Sequence, residues 1–221
     1  MTVQEHPTPL ADEVLSPRRG TAKFLRAALN APREIGAFAP SGRRLAAVAA
    51  GQIARDESPQ TVVEIGPGSG AITDALYDAL PAVARLLAVE SNAAMVDLLA
   101  QTRPWLTDLI HGDAAELPAL LTERGVNQVD LIVSALPWSV IPTSQQMPLL
   151  DALASVLAPR GVLATVLTIP VLPVPRVRRL LRRLDERFAS VSHRTVWLNP
   201  PPARLYICRG PLISAATVPG Q

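Results

Sequence analysis

The segment Thr61-Val62-Val63-Glu64-Ile65-Gly66-Pro67-Gly68-Ser69-Gly70-Ala71-Ile72-Thr73 constrains the fold of this chain more than any other. Val62 to Ile65 is short, β-branched and almost wholly apolar, as a parallel strand covered on both faces should be. Gly66, Gly68 and Gly70 then fall on alternate positions, which permits a tight turn through positive φ and a close approach of backbone to ligand. A helical pattern starts near Ala71. From here strands and helices alternate: strand 61–65, helix 71–80, strand 85–89, helix 92–101, strand 108–111, helix 114–124, strand 129–134, helix 144–158 and strand 161–168. Such alternation predicts an α/β chain with a parallel, doubly wound sheet, helices on both faces and right-handed crossovers. Residues 189–198 and 204–209 read as a closing pair of strands joined by Pro200-Pro201-Pro202. Ahead of the first strand, Thr21 to Asn30 reads as a helix, and Ser41 as the N-cap of another that runs to Arg55. The organisation predicted is an N-terminal arm with lid helices over 1–55, a core over 56–210 and an unpatterned tail over 211–221.

The glycine turn has three readings from its residues alone. It fits an ordinary strand-to-helix turn, and Gly66-x-Gly68-x-x-Ala71 also fits the dinucleotide fingerprint. The third reading, S-adenosylmethionine (SAM), draws on acidic residues nearby. Leu86 to Val89 is a second apolar strand ending in Glu90, twenty-four residues after Gly66, where a carboxylate can accept the hydroxyls of a ribose. NAD and SAM proteins share that device. Glu64 discriminates, because it stands inside the first strand, where a dinucleotide site keeps an apolar residue, and an acid there suits a cationic ligand. Asp113, just past a third short segment, is placed to accept an adenine amino group, although Asp113 and Asp130 are also ordinary capping residues. The candidate cofactor-binding residues are Glu64, Gly66, Gly68, Gly70 and Thr73 at the turn, Glu90 and Ser91 after the second strand, Asp113 and Ala114 after the third, and Ser134 at the end of the fourth.

These residues resemble the class I SAM-dependent methyltransferases, and within them the bacterial phospholipid N-methyltransferases, themselves similar to the rRNA adenine dimethyltransferases. The resemblance covers nearly the whole chain. Beside Glu64 to Gly70 it rests on Gly36-Ala37-Phe38-Ala39-Pro40-Ser41, on Val133-Ser134-Ala135-Leu136-Pro137-Trp138 and on Asn199-Pro200-Pro201-Pro202-Ala203-Arg204-Leu205-Tyr206. Ala135 stands where the phospholipid enzymes tend to have glycine, and Pro200 where they tend to have leucine. The resemblance implies a Rossmann-like sheet, SAM as the cofactor and N-methylation of a phospholipid headgroup such as phosphatidylethanolamine. It also implies that Leu136, Pro137 and Trp138 border the transferred methyl, Leu136 through its carbonyl and Trp138 through its ring, with Ser41 and Arg43 meeting a substrate phosphate. Methyl transfer to an amine needs positioning and desolvation more than a catalytic triad. A small-molecule methyltransferase is the alternative that Ala135 and Pro200 favour. An rRNA enzyme is disfavoured by a single lysine and a net charge of only +2, which leave little phosphate-binding surface.

Composition narrows the options further. A chain that is 48% hydrophobic can bury a sizeable core. One cysteine, Cys208, excludes an intramolecular disulfide, and with three histidines there is no zinc cluster to expect. No secretory signal is visible, so the cytoplasm is the default. The longest apolar run, Val162 to Val174, is too short and too proline-broken to span a bilayer. Residues 176–188 set Val177, Leu180, Leu181, Leu184 and Phe188 along one helical stripe among six arginines and two acids. That pattern fits a surface helix packed on the sheet. It also fits, together with the N-terminal segment, contact with an anionic membrane.

Overall fold

Short apolar runs bounded by turn residues become strands, and the intervening amphipathic stretches become helices. The computed structural model describes residues 42–52, 61–199 and 201–212. Its elements are α1 (Gly42–Ala50), β1 (Thr61–Ile65), α2 (Ala71–Ala79), β2 (Arg85–Glu90), α3 (Ala93–Thr102), β3 (Asp108–His111), α4 (Leu117–Thr122), β4 (Val129–Ser134), α5 (Thr143–Ser155), β5 (Leu157–Thr168), α6 (Pro175–Arg187), β6 (Phe188–Val196) and β7 (Ala203–Pro211). The predicted helix over 21–30, Ser41 and the boundary at residue 55 lie outside the described residues.

Seven strands form one sheet in the order β3-β2-β1-β4-β5-β7-β6. The first five strands are parallel, while β7 runs antiparallel to both β5 and β6. The chain steps outward from β1 through β2 to β3, then returns to place β4 on the other side of β1. The crevice at the carboxyl ends of β1 and β4 is therefore the topological switch point, where ligands of open α/β sheets bind.

Alternation along each strand feeds two apolar layers. Val63 and Ile65 face a layer with α4, α5 and α6, whereas Val62 faces one with α1 and α2. Leu45, Ala46, Ala49 and Ala50 of α1 are buried there, so this helix is a core element. On α6 the stripe Val177, Leu180 and Leu184 is fully buried, and all of the arginines but the half-buried Arg187 stand exposed. The packed alternative thus describes this helix, and its apolar face is not free to enter a bilayer. Cys208 is a core residue whose burial pushes its thiol up to about 12.

Boundaries depart from the sequence reading in several places: α1 ends at Ala50, with a turn at Gly51 and Gln52, instead of running on to Arg55, and β6 spans Phe188–Val196 instead of 189–198, so Phe188 leaves the helix and Trp197 and Leu198 fall in the turn beyond the strand. Helix α5 ends at Ser155 instead of 158, because β5 starts at Leu157, opposite Val129, and the register shifts before Leu131 meets Val162. The residues accommodated by that irregularity include Pro159, which has no N–H to give a ladder. The stretch 114–124 splits into a 3-10 turn, Ala114–Glu116, and α4, with Pro118 in the first helical turn. Finally, β7 extends through Pro211, one residue into the expected tail.

Candidate functional site

The strand-to-helix turn after β1 is built by backbone that only glycine adopts without strain. Gly66, Gly68 and Gly70 have φ of 72°, 55° and 84°. Their surroundings differ. A Cβ on Gly68 would meet nothing within 4 Å, and on Gly66 only the Ala135 carbonyl carbon at 4.0 Å, so this part of the turn opens onto free space. A Cβ on Gly70 would overlap the Arg103 guanidinium. That arginine, at the end of α3, makes a bidentate pair with Asp74 at 2.6 and 2.7 Å. The third glycine therefore makes room for a clamp between α3 and α2. Sequence reasoning missed Arg103, since nothing in its local pattern signals a contact twenty-nine residues away.

Two acids flank the turn in different surroundings. Glu90 ends β2, its Oε2 accepting from the Gly68 N–H at 3.2 Å and its Oε1 from the Asn92 N–H at 2.9 Å. Two backbone donors hold its carboxylate while leaving further lone pairs for a ligand. Glu64 is fully buried on the sheet face that carries α1 and α2. Burial pushes its carboxyl up to about 8, with Thr73, Arg103, Asp74 and Glu90 as smaller influences. The Thr73 hydroxyl is the polar side chain set against it and partly offsets the rise, although no hydrogen bond of good geometry reaches either of the Glu64 oxygens among the described residues.

The cleft itself is lined by Ile65, Gly66, Val89, Glu90, Ser91, Gly112, Ala114, Ala135, Leu136 and Pro137. Asp113 caps the 3-10 turn, its Oδ1 accepting from the Ala115 N–H at 2.9 Å, and burial raises its pKa. It is therefore a capping residue whose second oxygen remains for a ligand. Asp130 behaves as the capping alternative described, with Oδ2 accepting from the Thr61 N–H at 2.9 Å. Ser134 is buried at the end of β4, its Oγ 3.5 Å from the Leu136 N–H. Arg43 falls on α1.

Trp138 corrects the sequence expectation. It is completely buried, and its indole Nε1–H donates to Thr165 Oγ1 at 2.8 Å, which itself donates to the Ser134 carbonyl at 3.4 Å. A buried indole goes where its N–H finds an acceptor, and here that place is the core. Leu136 and Pro137 line the cleft in its stead. Gln146 of α5, another residue the sequence did not single out, donates through Nε2 to the carbonyls of Trp138 (2.9 Å) and Ile141 (3.2 Å) and so braces this loop.

Comparison with known proteins bears on the same elements. Residues 62–161, from β1 into β5, match the family model of the methyltransferase domain. The chain is 31% identical over 156 residues to the ornithine lipid N-methyltransferase of Singulisphaera acidiphila, spanning 70% of this chain and 78% of that one. It belongs to the class I SAM-dependent methyltransferases. Among solved structures, the methyltransferase resembles the Burkholderia thailandensis 1,6-didemethyltoxoflavin-N1-methyltransferase with bound S-adenosylhomocysteine (TM-score 0.63, 16% identity, 92% of this chain and 94% of that). It also resembles an O-methyltransferase from Bacillus cereus in complex with S-adenosylhomocysteine (TM-score 0.61, 16% identity, 90% and 94%). At that identity the two structures speak to the fold alone.

The residues present fit SAM as the cofactor. Open space over Gly68, unspent lone pairs on Glu90 and an unpartnered buried carboxyl at Glu64 are the features a cationic nucleoside ligand would use. No helix among the described residues is long and apolar enough to cross a membrane, and none of their acids, histidines or Cys208 gather into a metal-binding group.

Proposed function

We infer that this methyltransferase N-methylates the amine of a lipid headgroup, such as phosphatidylethanolamine. The observation that carries the reading is the 31% identity, over 70% of the chain, with an enzyme named for N-methylation of ornithine lipid. Bound SAM supplies a methyl group already made electrophilic by its sulfonium. Everything else falls to the chain. Glu90 takes the ribose hydroxyls on the lone pairs its two backbone donors leave, with Ser91 beside it. Asp113 and Ala114 border the adenine, and Gly66 and Gly68 let the backbone close on the ligand. Glu64 and Thr73 sit beneath the turn, where a cation above them favours the ionised carboxyl. Gly70 and Ser134 shape the turn and the end of β4.

At the acceptor end, Leu136 and Pro137 supply an apolar wall and one carbonyl. Leu136 O already accepts from the Trp138 N–H at 2.9 Å, which leaves one lone pair for an incoming amine. Desolvation against such a wall lowers an amine's pKa and so favours the neutral, nucleophilic form. Soluble small-molecule amines are the second reading, favoured by the Ala135 side chain at the cleft where the phospholipid enzymes tend to have glycine. Incubation with methyl-labelled SAM and, separately, phosphatidylethanolamine, ornithine lipid, soluble amines and rRNA decides between them. Label in the lipid phase is the expected result, and label in aqueous amines alone replaces the lipid by the second reading.

A further inference from the structure

If the acceptor is a lipid, the carboxyl edge of the sheet has to reach a bilayer, and the structure offers a specific point of contact there. Among the described residues the exposed large apolar side chains are Tyr77, Val83, Leu98, Trp197, Leu198 and Leu212. Tyr77 and Val83 lie near the start of β2, and Leu212 follows the end of β7, so these three are at the opposite edge. Leu98 stands on the outside of α3. Trp197 and Leu198 are different: they are adjacent, 71% and 65% exposed, and follow the end of β6. Val196 pairs with Ala203, which pairs with Thr168 at the end of β5, so this turn leaves the sheet at the same edge as Leu136 and Pro137. Three strand spacings separate β6 from β4, roughly 15 Å along that edge.

Two hydrogen bonds brace the described residues of the turn. Buried Asn199 donates through Nδ2 to the Pro201 carbonyl at 2.6 Å, and the Ile169 N–H donates to the Pro202 carbonyl at 2.7 Å. A braced turn that nevertheless presents an indole and an isobutyl group to water is shaped for an apolar partner. Charge identifies which kind. At the carboxyl edge Arg176 opens α6 and donates through Nη1 to the Val140 carbonyl at 3.4 Å, while Arg194 and Arg204 lie within two residues of the Val196–Ala203 pair that flanks the turn, so this edge is basic although the whole chain is only +2. No acid occurs from Arg187 to Gln221, and Arg194 stands exposed on β6. An anionic lipid surface complements that field, and tryptophan settles at headgroup depth.

We propose that the Trp197–Leu198 turn is the point at which the enzyme inserts into an anionic membrane, docking the carboxyl edge against the headgroups. This rests on the lipid reading of the substrate. A headgroup roughly 15 Å away along that edge reaches the cleft without its lipid leaving the leaflet. The arginines of α6 and β6 then orient the molecule, and the turn, not the packed stripe of α6, supplies the apolar contact.

The test uses the full chain with vesicles of equal parts phosphatidylglycerol and phosphatidylcholine. Trp197 emission should shift to the blue and be quenched by brominated acyl chains, because Trp138 is in the core and Trp105 borders the opposite edge. The double variant Trp197→Ala, Leu198→Ala should bind these vesicles about tenfold more weakly or worse, with SAM affinity and Tm unchanged. Absence of wild-type sedimentation at low salt, or equal vesicle binding by the double variant, overturns the docking surface. Transfer to an aminolipid in detergent micelles is scored separately. A chain that methylates micellar lipid but fails the vesicle test loses only the docking proposal, whereas vesicle binding through Trp197 without methylation of any aminolipid removes only the substrate reading.

Discussion

Glu64→Gln isolates a proton that the folded, ligand-free enzyme holds and the unfolded chain does not. Burial raises this carboxyl from 4.5 to about 8. Between those values the native state keeps the proton while the unfolded chain has lost it, so stability present below the unfolded pKa is lost as pH rises towards the folded one. Each unit of pKa difference is about 1.4 kcal/mol, so from about pH 5.5 to pH 8 the group costs the native state about 3 kcal/mol. Urea unfolding of the ligand-free protein at several pH values, at fixed ionic strength, measures it. The wild type should lose about 3 kcal/mol more than Glu64→Gln across that window, since the amide has the shape but not the titration. Cationic SAM adds a second readout: at pH 7, binding should release a proton from the wild type, seen as a dependence of calorimetric heat on buffer ionisation, and none from the glutamine variant. Parallel stability curves for the two proteins would refute the account of a sealed, protonated carboxyl beneath the turn.

Further outcomes follow from other contacts. Glu90→Ala should weaken SAM binding by about 1–3 kcal/mol, because ligand hydroxyls lose a charged acceptor; unchanged affinity in calorimetry removes the ribose assignment. Trp138→Ala should cost about 3–5 kcal/mol of stability while SAM affinity, measured well below Tm, stays as it was; a turnover defect in a fully stable variant would return the ring to the acceptor site. Gly70→Ala should lower Tm more than Gly68→Ala, since a methyl at 70 displaces the Arg103 guanidinium, and Gly68→Ala should mainly weaken SAM binding. Equal Tm losses would mean that only the positive φ matters.

The parallel sheet was legible because β1, β2 and β4 are short runs of Val, Ile, Leu and Ala that end at Gly66, Glu90 and Ser134. Such runs have few other uses in a chain of this size. Glu90 could be found from its distance to the glycines. By contrast, the orientation of Trp138 depends on Thr165, twenty-seven residues on, and Arg103 acts across a similar gap on Asp74 and Gly70. Pairings of that range leave no mark in a local window. The break at α5 and β5 was misplaced because Val156 and Leu157 suit a helix as well as a strand, and pairing with Val129 decided it. On α6 the sequence showed a stripe and a charged face but not what the stripe touches, which only the sheet beneath it settles.

The position of β7 also has a consequence in time. It lies between β5 and β6 in the sheet, yet it is the last of the three to leave the ribosome. Until Ala203–Pro211 has emerged, the twelve-residue β5 has an open edge and β6 has no neighbour to pair with. A nascent chain that has emerged only as far as residue 200 thus displays a long apolar strand with unpaired backbone groups, the form that recruits other strands. The sheet closes by inserting its newest strand between two older ones. Its most hazardous interval in the cell is therefore the one between the emergence of β5 and that of β7, which makes the speed of translation across it, and the chaperones waiting at the exit tunnel, part of how this enzyme reaches its native state.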